Sequence, residues 1–272
     1  MSFLANLFSL LAPAVCQTCG APLVQGEQFI CATCLAAIQP VKYHLQPAQE
    51  SPLRRRLTRN APIVRFASLC HYTHTGIAAQ LIRHGKYDNA PQLIAFLASQ
   101  LSLHLQATDV LTDVDLLIPI PMYWLKRLCR GYNQAQIIAQ TLARHFAIPL
   151  STNTLRATRP HTSQTRQTAT GRAANLRNSF ALNPRAIAPW LTDPTAPPPA
   201  ITHSAQRSAP PPQAGSRGEA EAEQSPRVIT GRHIALVDDI LTTGATLSEA
   251  LNTLLPAQPR AITIITLAVT PP

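Results

Sequence analysis

The chain has 272 residues, 46% of them hydrophobic, which is enough for a full α/β core with a small appendage. Its net charge is +10, and 20 of its 23 basic residues are arginine, a field that attracts phosphate on a small substrate or along a nucleic acid. Six cysteines in so long a chain argue against a secreted disulfide framework. No apolar run reaches the ~18 residues of a membrane span, and the compartment expected is the cytoplasm.

Phe3 to Val15 resembles a signal sequence, but no Lys or Arg precedes it and a cysteine pair follows at once. A short amphipathic helix with Leu4, Leu7, Phe8 and Leu11 on one face is the expectation. Cys16-Gln-Thr-Cys19 and Cys31-Ala-Thr-Cys34 then form a CxxC-x11-CxxC array, with Gly20 turning the chain after the first pair. Two such knuckles supply four thiolates for one tetrahedral Zn²⁺, a closed structural site with no position open for catalysis. A redox pair would open a helix after a strand, and neither CxxC does so. Cys70 and Cys129 stand apart in apolar surroundings and read as core residues.

Two regions follow the zinc module of residues 1–40. Residues 41–62, with Arg54, Arg55, Arg56 and Arg59, read as a basic connector. Residues 63–272 alternate short apolar runs with helical patterns, as βα units do. A strand is expected to end over Leu69 to Tyr72, and a helix to begin over Gly76 to Arg83. Pro91 to Leu105 repeats Leu93, Leu97, Leu101 and Leu105 on one stripe. Leu116 to Ile120 reads as a buried strand and Gln134 to Phe146 as a helix. Within the last region, residues 183–230 hold ten prolines from Pro184 to Pro226 with no apolar period, the pattern of a disordered insertion. Ala261 to Val269 closes the chain as an Ile- and Thr-rich strand.

Ile234 to Val237 is a short apolar run of the kind buried on both faces of a parallel sheet. Asp238 and Asp239 follow at its carboxyl end, where open α/β sheets place ligands. Thr242, Thr243, Gly244, Ala245 and Thr246 offer small side chains and five successive backbone amides. A helix beginning near Leu247 adds its dipole, so the run can wrap a phosphate. Two carboxylates cannot hold that phosphate, and ribose hydroxyls and Mg²⁺ are their natural partners. A Walker loop is excluded because Gly-Lys-[Ser/Thr] is missing, and so is the GxGxxG fingerprint.

Ile118-Pro119-Ile120-Pro121 ends a strand ahead of Arg127, Arg130, Gly131, Tyr132, Asn133 and Gln134, and the two arginines can meet a pyrophosphate with paired hydrogen bonds. Leu155, Thr158, Arg159, Thr162, Ser163, Gln164, Arg172, Asn175 and Phe180 outline a polar, basic stretch with strand-like ends, as a mobile lid would have.

The Asp-Asp loop resembles the phosphoribosyl-pyrophosphate (PRPP) loop of type I phosphoribosyltransferases. The cysteine knuckles, the IPIP…RGYNQA segment, the T-x3-SQ-x7-R-x2-N stretch and VDDILTTGAT, in this order, resemble the ComF/GntX family of phosphoribosyltransferase-like proteins associated with DNA uptake in naturally competent bacteria. The resemblance covers about residues 14–182 and 231–250. It departs at Arg166-Gln167, where a Gly-Leu pair is usual, and at Gly171, where an acid is usual, both in the expected lid.

The resemblance implies a type I α/β domain with a parallel sheet flanked by helices, preceded by the zinc module. It implies PRPP with Mg²⁺ as ligand and displacement of pyrophosphate as chemistry, with Asp238 and Asp239 as the catalytic pair. Thr242 to Thr246 would take the 5′-phosphate. Lys86, where the family tends to carry a lysine, would join Arg127 and Arg130 on pyrophosphate. The departures lie in the lid, so the resemblance carries further to binding than to turnover, and the acceptor is not legible. The competing expectation is a non-catalytic module that handles single-stranded DNA, with PRPP as a regulatory ligand.

Overall fold

A computed structural model describes residues 14–73, 75–159, 179–183 and 229–271. The expected N-terminal helix, the lid positions from Thr162 to Asn175 and most of the proline-rich segment lie outside the described residues.

The apolar runs form a four-stranded parallel sheet. Its strands are β1 (Ile63–His71), β2 (Leu116–Pro119), β5 (His233–Leu241) and β6 (Ala261–Val269), in the order β1-β6-β5-β2, with β5 longer than the run Ile234 to Val237. Every residue of β6 is buried, as a central parallel strand requires. Its two internal polar groups are satisfied: Thr263 meets His233 Nε2 at 2.9 Å, and Thr266 donates to Ser68 at 3.2 Å.

Alternation along the strands feeds two cores, one on each face of the sheet. Leu69, Leu117, Val237 and Ile265 face α2 (Ile77–Tyr87), α3 (Pro91–Gln106) and α5 (Gln134–Phe146). Phe66, Ile118, Leu236 and Ile264 face α6 (Ala245–Leu254). The Leu93, Leu97, Leu101, Leu105 stripe of α3 is buried throughout. Pro91 starts that helix where a missing N–H costs nothing. The Asn133 side chain caps α5 by accepting from Ala135 N at 3.1 Å.

The four-cysteine module does not stand apart. Cys34 lies in α1 (Ala32–Ala36), and Cys16, Ile30, Cys34 and Ile38 join the α3 core. Phe29 meets Phe96 edge to face at 5.6 Å.

The segment 41–62, read as a basic connector, also contributes to the core. Val41, Ala48, Leu53, Leu57 and Ala61 are buried in the second core. Val41 N donates to Leu69 O at 3.0 Å and Ala48 N to Val64 O at 3.1 Å, covering the free edge of β1. Edge strands left open invite mispairing, and this segment closes one.

The last two described strands, β3 (Leu155–Ala157) and β4 (Phe180–Leu182), pair antiparallel. They are the strand-like ends expected to flank the lid.

Candidate functional site

β5 runs four residues beyond Val237, so Asp238 and Asp239 sit within the strand's last four residues rather than after it. Asp238 Oδ1 accepts from Asp239 N at 2.8 Å. Burial and the neighbouring Asp239 charge push the Asp238 carboxyl up to about 8, against the opposing pull of that N–H and of Lys86. Lys86, in the last turn of α2, places Nζ 2.6 Å from Asp239 Oδ2, with under a fifth of either side chain exposed. The lysine and the acidic pair anticipated from distant parts of the chain therefore meet.

The chain then turns. Thr242 and Thr243 are exposed, Gly244 is buried, and Ala245 and Thr246 begin α6. Gly244 caps the helix at φ +79°, a conformation that costs other residues strain. A Cβ there would also lie 2.4 Å from the Arg56 carbonyl oxygen. The loop is pressed against residues 56–58: Ser248 Oγ donates to Arg56 O at 3.4 Å, and Thr58 Oγ1 donates to Asn252 Oδ1 at 3.0 Å. The Arg56 guanidinium donates to Thr242 O at 3.1 Å. Sequence reasoning counted Arg56 in the basic connector of residues 41–62. It lies behind the loop, and nothing local in the sequence signals that.

β2 pairs with β5 up to Pro119↔Val237, and Ile120 N donates to Val237 O at 2.8 Å. The segment leaving β2 thus emerges beside the acidic pair. It carries α4 (Trp124–Arg130), a short helix with no buried residue. Arg130 lies over the Tyr87 ring at 5.7 Å and reaches Gln134 Oε1 at 3.4 Å. That places it next to Lys86 in the chain's neighbourhood, while Arg127 is exposed. Tyr132 OH donates to Gly85 O, tying this segment to the turn that bears Lys86. Cys129, expected in the core, is exposed on α4; Cys70 is buried, and burial pushes its thiol up to about 12.

The second site is the cysteine cluster. The sulfurs of Cys16, Cys19, Cys31 and Cys34 all lie within 4.8 Å of one another, with Cys19 and Cys31 at 3.7 Å. Sulfurs about 2.3 Å from a central tetrahedral ion would be about 3.8 Å apart, so the cluster fits one metal ion. Glu27 holds the two knuckles together, accepting from Val24 N at 2.9 Å and Ala32 N at 2.7 Å. At Cys16 burial opposes ionisation, but amides of Cys19, Cys31 and Thr18 outweigh it and bring the thiol down to about 6. At Cys34 burial and the surrounding cysteines push the thiol up to about 12. A cation at the centre of the cluster would favour the thiolate form of the cysteines around it.

A parallel sheet with an acidic pair and a glycine-capped turn at its carboxyl edge, joined to a four-cysteine cluster, defines a phosphoribosyltransferase-like α/β protein. The chain belongs to the phosphoribosyl transferase domain family, whose sequence profile matches residues 133–271, and within it to the ComF family. It is similar to the DNA utilization protein YhgH of Shigella flexneri, 25% identical over 255 residues covering 90% of this chain and 92% of the relative. The Salmonella typhimurium protein of the same name is 24% identical over the same shares. Competence protein F of Haemophilus influenzae is 28% identical over 172 residues, 62% of this chain and 58% of its own. The domain match contains the acidic pair and the loop but not Lys86, Arg127 or Arg130. Among the described residues no helix is long and apolar enough to cross a membrane.

Proposed function

We propose that the cleft at the carboxyl edge of β5 binds PRPP with Mg²⁺ and transfers its phosphoribosyl group to an acceptor nucleophile, releasing pyrophosphate. The observation that carries this is the Lys86–Asp239 pair beside Asp238, set directly ahead of a glycine-capped turn into α6. Backbone amides of Thr242 to Thr246 point a helix N-terminus at the 5′-phosphate. Asp238 and Asp239 take the ribose hydroxyls and would hold Mg²⁺, which supplies charge neutralisation on the diphosphate. Lys86, Arg127 and Arg130 bind the pyrophosphate end. In the transfer, the acceptor's lone pair forms a bond to the anomeric carbon while the carbon–oxygen bond to pyrophosphate breaks and its electrons leave with that oxygen. Positive charge builds on the sugar, so the residues act by holding the leaving group and excluding water rather than by nucleophilic attack. The four cysteines hold a structural zinc.

The relatives are named for DNA utilization and for competence, and on this reading the chemistry serves the uptake or use of DNA. A second reading, single-stranded DNA handling without turnover, draws on α4, where Trp124, Leu125 and Leu128 are exposed beside Arg127. No Asp or Glu occurs between Asp115 and Asp193, against ten Lys and Arg, a run that favours a polyanion. Calorimetry with PRPP decides the first reading. Binding is expected only with a divalent cation and is lost in the Asp238→Asn, Asp239→Asn double variant; unchanged affinity there removes the acidic pair from the site. Pyrophosphate release with any of a panel of bases separates enzyme from module, and salt-dependent oligonucleotide binding without release supports the module.

A further inference from the structure

We infer that Arg56 is a positioning residue for the phosphate-binding loop, so that the segment joining the cysteine module to the sheet forms the back wall of the site. This rests on the PRPP reading and extends it to a residue 186 positions from Thr242 in sequence.

The argument begins with the guanidinium. Arg56 Nη1 donates to Thr242 O at 3.1 Å, to Thr270 O at 2.8 Å and to Thr270 Oγ1 at 2.9 Å, and Nη2 donates to Pro271 O at 2.5 Å. One planar fork thus ties the first residue of the loop to the end of β6. Fixing the Thr242 carbonyl fixes more than that atom. The peptide is planar and trans, so the N–H of Thr243 points opposite to the Thr242 C=O. A carbonyl held toward Arg56 leaves the Thr243 amide facing away from the segment behind it, into the side where a phosphate would sit. Gly244 completes the arrangement, since the Arg56 carbonyl oxygen fills the space a Cβ would need.

Charge gives the second, independent line. All four acceptors of Arg56 are neutral oxygens. Among the described residues Arg56 takes no part in the ion pairs Arg65–Asp109, His84–Asp88 and Lys86–Asp239. A part-buried cation whose acceptors among the described residues are all neutral, held directly behind a run of backbone amides, favours a dianion in front of them.

The test compares three probes on wild type and Arg56→Ala: PRPP with Mg²⁺, ribose 5-phosphate, and magnesium pyrophosphate. Loss of a charge-assisted contact to the loop should weaken PRPP and ribose 5-phosphate in parallel, by about tenfold or more. Magnesium pyrophosphate, held by groups on the other side of the cleft, should stay within about twofold, since it makes no use of the loop. Arg56→Lys keeps the charge but not the fork and should fall between the two; if Arg56→Ala fails to fold, the same comparison is read in Arg56→Lys. Ribose 5-phosphate affinity equal to wild type overturns the inference, and so does an equal loss for all three probes, which would mark a general structural role. Wild-type protein that binds none of the three removes the PRPP site itself and Arg56's role with it, whereas wild-type binding with an insensitive variant removes the role of Arg56 alone.

Discussion

Replacing Lys86 by methionine keeps the length and apolar stem of the side chain and removes the ammonium group 2.6 Å from Asp239 Oδ2. At that separation, with an effective dielectric near 20, the gross attraction is about 6 kcal/mol. Desolvating two groups that each keep under a fifth of their exposure cancels most of it. A coupling of about 2 kcal/mol remains, between the values for exposed and fully buried pairs. In a chain of this size that lowers Tm by roughly 4–8 °C. The loss also acquires a pH dependence. The folded-state pKa of Asp238, about 8, lies above the ordinary value of 3.8, so the fold binds this proton more tightly than the unfolded chain does. Its contribution to stability therefore falls as pH rises from 4 towards 8. Lys86 favours the ionised form, and without it the fall steepens, making the variant's deficit larger at pH 8 than at pH 5. Thermal unfolding of wild type, Lys86→Met, Asp239→Asn and the double variant supplies the cycle. The double variant should recover much of the Lys86→Met loss. Losses that simply add, or a Lys86→Met Tm equal to wild type at both pH values, would refute the coupling of these two groups.

Three further outcomes are expected. Purified protein should carry about one zinc per chain by elemental analysis, falling sharply in Cys16→Ser, and chelation should lower Tm because Cys16 and Cys34 share the α3 core; a metal-free protein with a disulfide under reducing conditions would contradict this. Gly244→Ala combines a left-handed φ with a Cβ 2.4 Å from Arg56 O and should cost about 1–3 kcal/mol, with PRPP affinity falling too; a titration and a melt matching wild type would count against the loop geometry. Burial, then the charges of His104, Arg65 and Lys42, lower the pKa of His44 below its ordinary 6.5. The unfolded chain takes that proton first as pH falls, so stability should drop below about pH 6.5, and urea unfolding at pH 7 and pH 5 should show a smaller difference in His44→Phe. An unchanged difference would remove His44 from the acid response.

The parts of the fold that the sequence announced are those whose partners repeat at a fixed period. The α3 leucine stripe, the α5 helix and the Ile- and Thr-rich β6 each carry their own pattern, and their boundaries fall within a residue or so of expectation. The cysteine array and the acidic pair were legible because the chemistry demands those residue types at close spacing. Residues 41–62 were misread for the opposite reason. Val41, Ala48, Leu53, Leu57 and Ala61 follow neither a strand nor a helix period, and basic residues stand among them. Their burial depends on strand edges and helices far along the chain. Lys86 could be reached only through family resemblance, since a lysine closing a helix looks like ordinary dipole chemistry until Asp239 is placed beside it. Cys129 sits among leucines that α4 leaves exposed, so local apolarity pointed the wrong way.

The strand order sets a timetable for folding. β1 is made early, yet its sheet partner β6 comes from the final residues of the chain described. Until β6 is available, β1 and β5 lack the strand that lies between them, and the phosphate loop lacks Thr270 and Pro271, which share the Arg56 guanidinium with Thr242. Contacts of such long sequence separation close slowly, and an apolar strand left waiting is exposed to wrong partners. Residues 40–48 cover the outer edge of β1 from its own side, leaving its inner edge as the one open template while synthesis proceeds. Deleting β6 would therefore leave two halves of a sheet with nothing between them.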